Sequence, residues 1–277
     1  MVRIITDSST LYTQAEAKEL GFRAIPLCIN IDDWDVRDLE VDIDAFNDKI
    51  SAGFVPKSSQ PPIGDVLDAF DEFPEDEIIN ISMADGLSGT YQSACSAKEM
   101  AENNERIEVI NSTTLCGPHR YMVDCAVKMA KEGISKNEIL EWLHKKIATT
   151  DSFLMPQDFS FLKRGGRLTP LAAAIGGILK LKPIVKQTED GKRLDKFGTK
   201  RTMSSALESI AKHLEKIKLD ENHILYISHA NALKDAQKAQ AIFSKAFPKV
   251  EIQILKLSPA FITQGGPGCL AVQYIER

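Results

Sequence analysis

The chain has 277 residues, 43% hydrophobic and 26% charged, which fits a globular protein of one large or two ordinary domains and excludes a long disordered chain or a coiled coil. Its 34 Lys and Arg against 39 Asp and Glu leave a formal charge of −5, without the dense basic run of a nucleic-acid or anionic-membrane surface. Five cysteines, an odd number with no C-x-x-C pair, give neither a disulfide framework nor a zinc site and fit a reducing compartment.

Residues 2–6 predict a strand ending at Asp7-Ser8-Ser9, with none of the basic, apolar and small-residue order of a signal peptide. Helical spacing follows as far as Gly21. Residues 22–31 form a second strand region with Pro26 inside it, and the acidic stretch 32–44 reads as a surface loop. Phe46 and Ile50 belong to a helix. The prolines of 56–62 argue against regular structure there. A helix over 63–70, a strand over 77–82, a helix over 91–102, a strand over 107–110 and helices near 117–131 and 136–148 complete the first half. Such alternation predicts a parallel sheet covered on both faces, hence a three-layer α/β domain over residues 1–150.

The second half, residues 151–277, reads as a different α/β domain. A short strand at 153–156 and a helical turn at 159–163 lead to Gly165-Gly166-Arg167. An apolar helix is predicted over 169–179, with Thr169 as its cap. Its apolar run of nine residues is well short of the roughly twenty that span a membrane, so a cytoplasmic protein without stable membrane insertion is expected. Residues 183–197 predict a hairpin turning at Asp190-Gly191. A helix near 202–218, strands at 223–228, 250–257 and 270–275, and a helix at 233–246 follow. A hairpin among helices implies a two-layer mixed sheet.

Ligands of open parallel sheets bind beyond the carboxyl ends of the strands. Here those ends carry Asp7-Ser8-Ser9, Leu87-Ser88-Gly89-Thr90 and Asn111-Ser112-Thr113, and the proline-rich loop adds Ser58, Ser59 and Gln60. Short hydroxyls and helix N-terminal N–H groups suit an anionic head group. Capping explains Ser8, Ser9 and Ser112 equally well. Gly89, between two hydroxyls, permits close backbone approach. Arg167 after paired glycines offers a guanidinium fork for a carboxylate or phosphate, and a plain turn with a surface Arg is the simpler alternative. Gly265-Gly266-Pro267-Gly268 reads as a tight, exposed turn near Thr263 and Gln264. Dinucleotide, P-loop, zinc-protease and nucleophile-elbow motifs are absent. No catalytic residue, metal ligand or cofactor is therefore assigned, and His119 and His229 read as packing residues near helix starts.

These segments, in order, resemble the DegV family of bacterial fatty-acid-binding proteins. The resemblance rests on Ile5-Thr6-Asp7-Ser8-Ser9, Pro56-Lys57-Ser58-Ser59-Gln60-Pro61, Leu87-Ser88-Gly89-Thr90-Tyr91-Gln92-Ser93-Ala94, Gly165-Gly166-Arg167-Leu168, Leu181-Lys182-Pro183-Ile184, Lys200-Arg201-Thr202 and Gly266-Pro267-Gly268. It implies two unlike α/β domains with a long-chain fatty acid in a tunnel between them. The carboxylate would meet Ser58, Ser59, Ser88, Gly89 and Thr90, with Arg167 close by. It also implies a binding subunit, not itself an enzyme, that offers its fatty acid to a separate ATP-dependent fatty acid kinase for acyl phosphate formation, with Arg201 involved in that exchange. The bound fatty acid would be its only small-molecule ligand, and nucleic acid is not an expected partner. Where many members carry His before the Gly-Pro-Gly turn, this chain has Gln264, which hydrogen-bonds but carries no charge at neutral pH. Ser58-Ser59 replaces a more usual Thr-Ser, and Asn111 stands where Asp is common. Two other functions compete: acyl or phosphoryl transfer with Ser88 or Ser59 as nucleophile and His119 or His229 as base, and binding of another small anion.

Overall fold

The computed structural model describes residues 1–174 and 181–277, and they cluster into two compact units. Unit 1 comprises Met1–Ala148 with Ser258–Ala260, and unit 2 comprises Thr149–Leu257 with Phe261–Arg277.

Unit 1 runs β1 (Val2–Asp7), a 3-10 turn at Ser8–Thr10, α1 (Gln14–Leu20), β2 (Arg23–Ile25), β3 (Cys28–Ile31), β4 (Trp34–Arg37), α2 (Ile43–Ser51), β5 (Lys57–Ser59), α3 (Ile63–Asp71), β6 (Glu77–Ser82), α4 (Thr90–Met100), β7 (Ile107–Asn111), α5 (Cys116–Lys131) and α6 (Lys136–Ile147). Its main sheet is parallel, in the order β2-β1-β6-β7. The strands are nearly continuous apolar runs because both faces are covered. Ile5, Ile78 and Ile107 pack with Phe70 of α3 and Ala94 and Ala97 of α4. Helix α5 lies along β1 and buries Met122, Val123 and Ala126.

Two expectations for this half change. The strand region 22–31 divides at Pro26, whose missing N–H ends the parallel pairing of β2. The chain then enters a separate antiparallel sheet, β4-β3-β5. The acidic stretch contains β4, with Val36 opposite Ile29. Its charges obscured the pairing: Asp32 and Asp33 form the turn and share Lys49 Nζ at 2.6 and 2.7 Å. The stretch 56–62 is also not wholly irregular. Its prolines bracket Lys57–Ser59, leaving those three residues free to pair with β3 as an edge strand.

Unit 2 runs β8 (Asp151–Met155), α7 (Phe159–Gly165), α8 (Pro170–Ala173), β9 (Lys182–Gln187), β10 (Leu194–Lys200), α9 (Met203–Ile217), β11 (His223–His229), α10 (Leu233–Ala246), β12 (Glu251–Lys256), α11 (Pro259–Gly265, its first two residues clustering with unit 1) and β13 (Leu270–Glu276). The mixed sheet has the order β10-β9-β8-β13-β11-β12, with β11 and β12 parallel and the other neighbours antiparallel. Helix α9 places Leu207, Ile210 and Leu214 at helical spacing. With Phe243 of α10 they cover Phe153, Leu225, Ile227 and Val272. The β9–β10 hairpin forms as predicted, with Gly191 at φ +72° in its loop. Thr169 caps α8 through the N–H of Ala172. The rest of the apolar helix predicted over 169–179 lies outside the described residues from 175 onward. Among the described residues, no helix is long and apolar enough to cross a membrane.

Candidate functional site

The carboxyl ends of the parallel strands in unit 1 are tied down by the side chains of Asp7, buried, and Asn111, half-buried. Asp7 accepts the N–H groups of Ser9 and Met83, both at 2.9 Å. Asn111 does the same for Asp85 and Thr113 at 3.1 and 3.0 Å. Asn thus supplies the carbonyl acceptor these loops need, without a charge. It holds Thr113 at φ +53°, which a β-branched residue rarely adopts. Ser112 Oγ donates to Thr114 O at 3.2 Å. Ser8, Ser9 and Ser112 are all buried, so they act as internal struts, neither caps at a surface nor an open ligand cradle.

His119 belongs to the same buried cluster. Its Nδ1 lies 2.6 Å from Ser9 Oγ, and its Nε2 lies 3.0 Å from Ile81 O and 3.2 Å from Thr6 Oγ1. Burial drives its pKa below the usual histidine range, against the opposing pull of the Asp7 charge. The imidazole is neutral at pH 7 and both nitrogens are engaged, so the pairing of His119 with Ser88 or Ser59 is not formed. In unit 2, His229 Nδ1 accepts the Ala232 N–H at 3.2 Å, which makes it a local loop strut.

Above these loops, two of the motifs meet. Ser93 Oγ of α4 donates to Pro61 O at 2.9 Å. A Cβ on Gly89 would lie 3.1 Å from the Gln60 carboxamide. Gly89 has φ −75°, so the need for glycine is this close approach and not backbone conformation. Ser88 Oγ and Thr90 Oγ1 are 2.7 Å apart, and the Thr90 N–H points at Ser88 Oγ at 3.3 Å. Thr90 opens α4, whose N-terminal N–H groups and dipole favour an anion. Ser58 is half-buried and Ser59 exposed. As neighbours on β5 they face opposite sides of its sheet.

Unit 2 gathers a second group. Gly166 ends α7 in the left-handed conformation at φ +70°, which turns Arg167 back so that its Nη1 donates to Gly165 O. A Cβ on Gly165 would collide with Gln264 Oε1 and reach Arg167 Cδ at 4.0 Å. Gly165, Arg167 and Gln264 thus form one small cluster, with Gly165 making room for the carboxamide. Half-burial and the nearby Arg193 charge lower the Arg167 pKa, so this cation gains from an anionic partner. The glycine turn is less exposed than predicted. Gly265 and Gly266 are buried, and a Cβ on Gly266 would lie 2.9 Å from the Phe161 ring. Arg201 is exposed at the carboxyl end of β10, just before Thr202, the cap of α9.

The packing of Gln60 on Gly89 is not readable from the local sequence. Among the described residues, no group of three or more His, Cys, Asp and Glu could hold a metal ion.

Comparison with known proteins agrees across the whole chain. A family model described as "Uncharacterised protein, DegV family" matches residues 1–277. A DegV domain-containing protein of Halalkalibacterium halodurans is 31% identical over 287 residues, covering 100% of this chain and 99% of that protein. One from Staphylococcus aureus strain N315 is 29% identical over 279 residues, covering 99% and 98%. The crystal structure of DegV, a fatty acid binding protein from Bacillus subtilis, is 27% identical with a TM-score of 0.86, covering 100% of this chain and 99% of that one. A DegV family protein from Thermus thermophilus, described for its fatty acid binding, is 25% identical with a TM-score of 0.87, at the same coverage. A more distant protein from Streptococcus agalactiae, 22% identical, shares the fold at a TM-score of 0.89. By its sequence and by its fold, this chain belongs to the DegV family.

Proposed function

We propose that the protein binds a long-chain fatty acid and presents its carboxylate to a separate ATP-dependent kinase that makes the acyl phosphate. In this reading Ser88, Thr90 and the first N–H groups of α4 receive the carboxylate across the bare backbone of Gly89. Ser58 adds a hydroxyl, Arg167 the positive charge and Gln264 a neutral hydrogen-bonding group. Ser59 lies beside this set. Arg201 serves the exchange with the kinase, and the protein itself carries out no chemistry. The observation that carries the proposal is the meeting of the Ser58–Gln60 segment with the Ser88-Gly89-Thr90 turn, in a chain whose Bacillus subtilis relative is a fatty acid binding protein.

The energetics fit a lipid. Each buried CH₂ contributes roughly 0.8 kcal/mol, so the acyl chain supplies most of the affinity. A carboxylate taken out of water without partners would cancel much of that gain. Hydroxyls, helix N–H groups and one guanidinium remove that penalty and fix orientation. Ser88→Ala and Arg167→Ala should each weaken palmitate binding about tenfold while leaving the melting temperature near wild type. Two variants that bind as tightly as wild type would refute the head-group assignment. Acyl phosphate formation should require both ATP and an added kinase. Its formation by this protein alone with ATP would refute the non-catalytic role.

A further inference from the structure

The most fully partnered buried acid in unit 1 lies outside every motif. Asp38 is 1% exposed. Its Oδ2 accepts Ser8 Oγ at 2.7 Å and Ser258 Oγ at 2.9 Å. Its Oδ1 accepts the Ala260 N–H at 3.1 Å, and the Leu39 N–H is a further donor. Leu39 stands at φ +67°, a conformation leucine rarely takes. Ser8 is itself held, accepting the Leu27 N–H at 3.1 Å. Ser258 and Ala260 lie 220 and 222 residues further along the chain. They belong to the three-residue segment Ser258–Ala260 that clusters with unit 1, while the chain on either side belongs to unit 2. Pro259 opens α11, and Gln264 lies near that helix's end. A carboxylate at the first turn of a helix satisfies an N–H group that the helix leaves without an internal partner. Here the acid comes from a distant part of the chain.

We propose that Asp38 is a positioning residue for α11, the helix that carries Gln264: it pins Ser258–Ala260 and fixes the first turn of that helix. The link to a head group rests on the fatty-acid reading above; the link to the helix does not. Burial pushes the Asp38 carboxyl up to about 6, against the pull of its hydrogen bonds. The groups facing it are the hydroxyls of Ser8 and Ser258 and the N–H groups of Leu39 and Ala260. Tyr12 and Glu40 are the titratable side chains lining the adjoining cavity of about 200 Å³, and Asp7 is turned to Ser9 and Met83. If the segment opens, the carboxyl meets water and returns to its ordinary value of 3.8. The pinned state therefore holds a proton more tightly than the open one. Opening becomes more frequent as pH rises between those two values and levels off above the higher.

Hydrogen exchange of the full chain, corrected for intrinsic rates, tests this. Exchange at the amides of 260–265 should rise about tenfold between pH 5 and pH 7 in wild type and stay flat in Asp38→Asn, which cannot titrate. Asp38→Ala should raise it about tenfold or more at pH 7 and weaken palmitate binding no further when combined with Gln264→Ala. A wild-type profile that is flat, or that Asp38→Asn reproduces, overturns the proposal. So does additive loss of palmitate affinity in the Asp38→Ala, Gln264→Ala double variant. If Asp38→Ala fails to fold, Ser258→Ala gives the same reading with the carboxylate kept: unchanged exchange at 260–265 overturns the proposal. A wild type that binds no palmitate refutes the fatty-acid reading, while the exchange profile still decides whether Asp38 positions the helix.

Discussion

Ser58 and Ser59 are neighbours on β5, and only Ser58 is partly buried. A strand alternates its side chains, so neighbouring residues do not converge on one group. Ser58→Ala should therefore weaken fatty-acid binding several-fold, by about one hydrogen bond, and Ser59→Ala should leave it within about twofold of wild type. Titration calorimetry with palmitate separates the two; equal losses would mean that β5 does not keep its extended geometry with ligand bound. The sequence carried residue types, hydroxyls beside a glycine and an arginine after paired glycines, for which capping and a plain turn are the competing uses. It did not carry direction. That Ser58 pairs opposite Ile29, and that Ser8 and Ser9 point inward, depends on residues distant in the chain.

Elements were legible where pattern and length agreed. The apolar strands β1, β6 and β7 and the amphipathic helix α9 could be read because burial follows their periods of 2 and 3.6. Strands β4 and β5 were not, because four and three residues rich in charge and flanked by turn residues carry no periodic signal. Both are held by tertiary pairing with β3. The glycine turn after α11 shows the same limit: composition marks a turn, but not that it is buried against Phe161. Gly266 needs glycine on two counts, φ +78° and the ring 2.9 Å from an added Cβ. Gly266→Ala should cost about 1–3 kcal/mol and lower the urea midpoint accordingly. An unchanged midpoint would show that the Phe161 ring gives way freely.

At the scale of the molecule, alternation in the first half and a hairpin in the second were enough to read two unlike α/β architectures, and the sheet orders agree. No local pattern announces that Ser258–Ala260 joins unit 1, since its hydrogen-bond partner Asp38 lies more than two hundred residues earlier. The fold alone does not assign a ligand; the lipid reading rests on the motif residues that unit 1 and unit 2 each gather and on relatives that bind fatty acids. Native mass spectrometry of the purified protein, followed by denaturation and lipid identification, tests that claim most directly. A fatty-acid-binding protein should show an added mass that resolves into one long-chain fatty acid per chain, or take up palmitate when stripped and offered it. A protein that carries no acyl chain and takes up none would contradict the lipid reading.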